Sequence, residues 1–167
     1  MAAEYAWSTL ACAVMVVITV LVHYESLRLI TDRLVPRLRV HPRHELVYVI
    51  LAVFLTHALE ILLFAFPYHL LSAAGLGRIH GAIDGNFFDS LYFSLVSYTS
   101  LGFGDVYPLG GLRLLSGVEA LIGLLMIGWS SYFTYLGMER LWKAHAQHDE
   151  VQRRHREGHH RGPGDRP

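Results

Sequence analysis

The sequence predicts an all-α membrane protein with three transmembrane helices and a short re-entrant helix between the second and third. Three observations carry this prediction. The chain is 53% hydrophobic and 17% charged, whereas globular chains are about 45–50% apolar and about 25% charged. Its charges are segregated, leaving three apolar runs that reach the roughly 20 residues a spanning helix needs. A fourth apolar run, Phe87–Tyr98, holds only about a dozen residues. At 1.5 Å per residue it covers roughly 18 Å, too little to cross.

The first span runs from Tyr5 to Tyr24, with His23 as its one acidic or basic residue. Glu4 is the first charge and no clear small-residue cleavage site follows the run, so a retained helix is expected rather than a cleaved leader. Glu25–Val35 reads either as a short amphipathic helix on the inner membrane surface, stopped by Pro36, or as a plain basic loop. Its arginines lie outside the apolar spans, unlike those of a voltage sensor.

The second span runs from about Leu46 to Leu70 and is apolar except for His57 and Glu60, with His69 at its end. Asp84 or Asn86 is placed to cap the short helix that follows. The third span, about Leu112–Met138, is interrupted only by Arg113 and Glu119. It is longer than a hydrocarbon core of roughly 30 Å requires, which implies tilt or an inward extension. The tail from His145 is polar and rich in His, Arg and Gly, and disorder is expected there. Three units result: residues 1–45 with the first span and a basic loop, 46–141 with the two remaining spans and the short helix, and 142–167 as tail.

Basic residues set the orientation. Arg28, Arg33, Arg37, Arg39 and Arg43 fill the first loop, and Arg140, Lys143, Arg153, Arg154, Arg156, Arg161 and Arg166 follow the third span. Near the short helix stand only Arg78 and Arg113. Cytoplasmic segments carry the excess of Lys and Arg, so the N-terminus is expected outside and the C-terminus in the cytoplasm. Tyr5, Trp7, Tyr24, Tyr48, Tyr68 and Trp142 fall near span ends, as an interfacial aromatic belt would. The formal net charge of +0 gives no support to nucleic-acid binding. Cys12 is the sole cysteine, which excludes a disulfide framework within the chain.

The short helix runs directly into Thr99-Ser100-Leu101-Gly102-Phe103-Gly104-Asp105-Val106-Tyr107-Pro108. Here the chain resembles the pore domain of the potassium-channel family, whose filter reads Thr-Val-Gly-Tyr-Gly-Asp. Gly102, Gly104 and Asp105 match identically, while Ser100, Leu101 and Phe103 replace Thr, Val and Tyr. The resemblance covers roughly Leu46–Leu141 and implies a tetrameric potassium-channel-like pore, with the second span as outer helix and the third as pore-lining inner helix.

The chemistry of a filter needs such a pattern. Carbonyl oxygens must point inward to replace an ion's hydration shell. Successive carbonyls share that direction only if alternate residues take unusual backbone angles, which glycine reaches without a Cβ clash. Thr99 to Asp105 are thus the expected filter segment, with K+ held at Ser100, Leu101, Gly102 and Phe103. Asp105 at the outer mouth either attracts cations or ties the filter to the short helix. Tyr92 and Phe93 occupy the place of the family's filter-bracing aromatic pair. Gly123 and Gly128 are candidate gating hinges, or close-packing positions. Irregular backbone at membrane depth must be buried in protein or line water. Several copies around an axis meet that need, and the resemblance implies a homotetramer.

His57 and Glu60 are three apart and share a helix face, and Glu119 lies at a comparable depth. They read as a buried polar network, weighted more toward a structural tie than toward pH-sensitive gating through His57. An intramembrane enzyme on His57 and Glu60 lacks a second His, an Asp pair or a nucleophile motif, so no enzyme is expected. The tail histidines His145, His148, His155, His159 and His160 read as a solvated segment rather than a metal site. The expected function is passive, cofactor-free conduction of K+ by a homotetramer in contact with membrane lipid, in a prokaryotic inner membrane. The alternatives are a weakly selective cation channel and a non-conducting membrane interaction subunit.

Overall fold

A computed structural model describes residues 2–38, 42–81 and 84–160, with the side chains of all but 2–4, 42, 43, 141, 142 and 144–160. Among the described residues, three helices are long and apolar enough to cross a membrane: Tyr5–Arg37, His44–Ala73 and Leu112–Arg140.

Helix α1 covers Ala2–Leu29 and continues through a π-helical turn, Ile30–Leu34, and a 3-10 turn, Val35–Arg37. This corrects the expectation of a separate surface helix or loop after Tyr24. The apolar side of the segment is not turned to a membrane surface, because Leu27 and Ile30 are buried in one cluster with Val49 and Val53. Its exposed side carries Arg28, which pairs with Glu25 at 3.4 Å and Asp32 at 3.5 Å. Pro36 sits within the first positions of the 3-10 turn, where its missing N–H leaves no helical bond unmade.

Helix α2 covers Pro42–Ala73 and contains Pro67. Helix α3 is Phe87–Tyr98, with the bounds expected from composition. Asn86 caps it by accepting from the Asp89 N–H at 3.1 Å. The Asp89 carboxylate reaches back to the N–H groups of Asp84, Gly85 and Asn86 at 2.8–3.0 Å. That capping box fixes where the short helix starts.

Helix α4 runs from Leu112 to His160. The disorder expected from residue 142 is thus replaced by helix as far as His160. Residues 139–157 hold no Gly or Pro and are rich in Glu, Gln, Arg and Ala, so nothing in them ends a helix. Residues 161–167, Arg161 and Arg166 among them, lie outside the described residues, as do the side chains of the tail histidines and Trp142.

A two-stranded antiparallel ribbon joins the chain before α3 to the chain after the loop. Strand β1, Arg78–Gly81, pairs with β2, Val106–Leu109, in the register Arg78↔Leu109 to Gly81↔Val106. His80 stacks on Tyr107 with ring centroids 5.0 Å apart.

Helix α1 packs on both α2 and α4, and α3 wedges between α2 and α4. One apolar core takes Cys12 and Met15 from α1, Phe64 and Tyr68 from α2, Phe93 and Tyr98 from α3, and Leu112, Leu115, Ile122 and Met126 from α4. The first helix therefore belongs to the same packed body as the re-entrant segment.

Candidate functional site: the 99–105 loop and its polar supports

The last turn of α3 hands the chain to the loop through tight hydrogen bonds. The N–H of Thr99 donates to Leu95 O at 3.2 Å, Ser100 to Ser97 O at 2.9 Å and Leu101 to Val96 O at 3.0 Å. The Thr99 hydroxyl also donates to Leu95 O at 2.7 Å. Beyond this point the backbone alternates. Ser100 has φ 55, Gly102 φ 56 and Gly104 φ 84, while Leu101 and Phe103 stay at negative φ. Every second residue from 100 to 104 is thus left-handed. Serine pays roughly 1–2 kcal/mol for that conformation, and it is the only non-glycine at positive φ among the described residues.

Leu101 and Phe103 are 56% and 65% exposed on the isolated chain. Asp105 is held at the loop's far end by Tyr92, whose hydroxyl donates to Oδ2 at 2.7 Å. That bond to a carboxylate raises the phenol's pKa, with smaller contributions from desolvation and the Asp105 charge. This bond ties Asp105 to the short helix. Phe93 is buried, edge-on against Tyr68 at 4.9 Å.

Behind the loop lie two buried polar clusters, and no described hydrogen bond joins them. In the first, the Glu60 carboxylate accepts from His23 Nδ1–H at 2.9 Å and from the Tyr98 hydroxyl, with His57 Nδ1 at 3.3 Å. His57 Nδ1 is also 2.8 Å from the Tyr98 oxygen. On its other side, His23 Nε2 is 3.3 Å from the Ser130 hydroxyl. Tyr98 is the last residue of α3, so α1, α2, α3 and α4 all meet here.

In the second cluster, Tyr68 donates to Glu119 Oε2 at 2.5 Å, and the Ser94 hydroxyl lies 2.6 Å from Glu119 Oε1 and 2.7 Å from Ile61 O. A hydroxyl has one proton. If Ser94 gives it to the Ile61 carbonyl, which can only accept, the hydrogen between Ser94 and Glu119 comes from the carboxyl. All partners are then satisfied with Glu119 as a neutral acid.

The structure therefore joins His57 to Glu60, as expected, but places Glu119 in a separate triad. It also corrects Tyr68, which is not an interfacial aromatic but fully buried. His23 was missed as a cluster member. Its signal was a stripe of Ser8, Cys12, Met15, Thr19, His23, Leu27 and Ile30 at spacings of three, four and seven, all buried. Tyr68 was likewise legible, since Glu60, Phe64 and Tyr68 recur every four residues on one buried ridge.

Gly123 is a close-approach position. A Cβ there would overlap the Tyr98 carbonyl oxygen, whereas one at Gly128 would meet nothing within 4 Å.

Three apolar spans, a short helix that does not cross, and a loop of alternating handedness define an integral membrane protein built around a re-entrant segment. The family model described as ion channel matches residues 49–137, more than half of the chain, and the chain belongs to that family. No curated protein and no solved structure matches the chain. Ion channels of this family are generally oligomeric and are not enzymes.

Proposed function

We propose that the chain is one subunit of a homotetrameric channel that conducts K+ passively, with Thr99–Asp105 as its selectivity filter. The observation that carries this reading is the alternation of left-handed backbone at Ser100, Gly102 and Gly104. Alternation turns successive carbonyls of residues 100–103 toward one side, where they can replace the hydration shell of a dehydrated cation. The C-terminal end of α3, worth roughly half a negative charge, adjoins the same segment. Leu101 and Phe103, bare on one chain, are the side chains that neighbouring subunits would cover. The basic first loop and the basic end of α4 support a cytoplasmic C-terminus and an outward-facing loop, and so compact a chain suits a prokaryotic inner membrane.

A second reading, a weakly selective cation channel, is favoured by Phe103, which has no hydroxyl with which to hold the filter open. The purified protein in a planar bilayer, with K+ on one side and Na+ on the other, separates the readings. A reversal potential near the K+ equilibrium value, with current abolished by Gly102→Ala, supports the first. A potential near zero with robust current supports the second. Absence of current together with thermal stability indifferent to K+ leaves a non-conducting interaction subunit.

A further inference from the structure

We propose that His23, His57 and Glu60 form an intramembrane binding site for a divalent transition-metal ion, with Zn2+ the ion of best fit. Their ligand atoms all lie within 4.8 Å of one another, and among the described residues no other trio of His, Cys, Asp or Glu gathers its donors this closely. Zn–N and Zn–O bonds of about 2.0–2.2 Å at tetrahedral angles separate adjacent donors by roughly 3.3 Å. Here His23 Nδ1 is 2.9 Å from Glu60 Oε1 and His57 Nδ1 is 3.3 Å from Oε2. Both of these pairs lie within a few tenths of an ångström of that separation, so an outward shift of side chains would admit an ion.

The donor set also selects the ion. Two imidazole nitrogens and one carboxylate suit Zn2+, Co2+ or Ni2+ and disfavour Mg2+ and Ca2+, which take oxygen ligands. The Tyr98 oxygen, 2.8 Å from His57 Nδ1, stands where a fourth ligand would bind. Ser130, 3.3 Å from His23 Nε2, orients the ring from behind, as outer-sphere partners of metal-bound histidines do.

There is a way in. His23 and Glu60 are sealed, but the His57 side chain is 17% exposed. It borders an apolar groove of about 520 Å³ lined by Phe54, Ala58, Ile61, Leu95 and Tyr98 among others. Bound metal would pin α1 to α2 directly behind Tyr98, the residue before Thr99.

The test uses the full chain with His145, His148, His155, His159 and His160 replaced by Gln, so that the tail takes up no metal. The protein is stripped with a chelator and titrated with Co2+. The expected result is one Co2+ per chain with the intense visible absorption of a four-coordinate ion, displaced by Zn2+. His57→Gln is expected to weaken binding by more than about 10-fold. Loss of all binding with the tail substitutions, or binding unchanged in both His23→Gln and His57→Gln, overturns the proposal. Should those variants not fold, Trp129 gives a readout with the site intact, because its ring centroid is 5.3 Å from that of His23. In a Trp7→Phe, Trp142→Phe background, bound Co2+ must quench Trp129 at a ratio of one per chain. Unquenched Trp129 at saturating Co2+ means a purely hydrogen-bonded tie and overturns the site.

Discussion

The Tyr98 hydroxyl donates to the buried carboxylate of Glu60. The residue that ends the short helix thus hangs from the middle of α2, one position before the proposed filter begins. Hydrogen bonds to charged groups contribute about 1.5–3 kcal/mol. Tyr98→Phe is expected to lower stability by that order and to leave His23 and His57 as the remaining donors to Glu60. The loss is measured as a fall in the melting temperature of the detergent-solubilised protein. If the tie also positions the filter, the stabilising effect of K+ over Na+ shrinks in the same variant.

The two buried carboxyls should respond oppositely to amide substitution. A Gln at 119 can donate its NH2 to Ser94 and accept from Tyr68, so Glu119→Gln should be nearly neutral, while Glu119→Ala strands both hydroxyls. A Gln at 60 presents an NH2 where a donor already points. Glu60→Gln is therefore expected to cost about 1–3 kcal/mol more than Glu119→Gln. Equal melting temperatures for the two variants would contradict the hydrogen-bond assignment.

Tyr92 should make the loop sensitive to strong alkali. Its hydroxyl bond to Asp105 raises the phenol's pKa above the usual value, which is about 10. A raised folded-state pKa means that the stabilisation is complete below the unfolded value. It is lost only as pH rises through the higher folded value. Stability should thus hold through neutral pH and fall above about 10. Tyr92→Phe lacks the bond throughout and should lose that alkaline step in a pH series of melting temperatures.

Gly123→Ala and Gly128→Ala should separate the two glycines of the inner helix. The first drives a methyl into the Tyr98 carbonyl, and overpacking of this kind costs about 1–3 kcal/mol. The second meets open space and should be tolerated in stability. If Gly128 is the hinge, Gly128→Ala instead changes open probability, read from single-channel records.

Much of this architecture was legible in the sequence. Phe87–Tyr98 was bounded correctly because a short apolar run flanked by Asn86 and a glycine-containing loop has few other readings. The left-handed positions at Gly102 and Gly104 followed from what only glycine does cheaply. Ser100 joined them because hydrogen bonds from Ser100 and Leu101 to the last turn of α3 hold it there, a helix-end geometry that residue type alone does not announce. The continuation of α1 past Tyr24 was hidden for a similar reason. Leu27 and Ile30 look like the apolar side of a surface helix until Val49 and Val53 are seen to cover them. The ribbon escaped notice because Arg78–Gly81 and Val106–Leu109 are four residues each and contain Gly and Pro.

That ribbon has a mechanical consequence. Gly81 pairs with Val106, so the chain enters and leaves the α3–loop excursion at a single doorway. Relative displacement of the outer ends of α2 and α4 pulls first on β1 and β2 and is short-circuited there. Motion of α2 or α4 can still reach the loop from below, through the two seats of α3: Tyr98 between Glu60 and Gly123, and Ser94 between Ile61 and Glu119. The excursion behaves as a cartridge, clipped at its rim by the ribbon and seated below on α2 and α4.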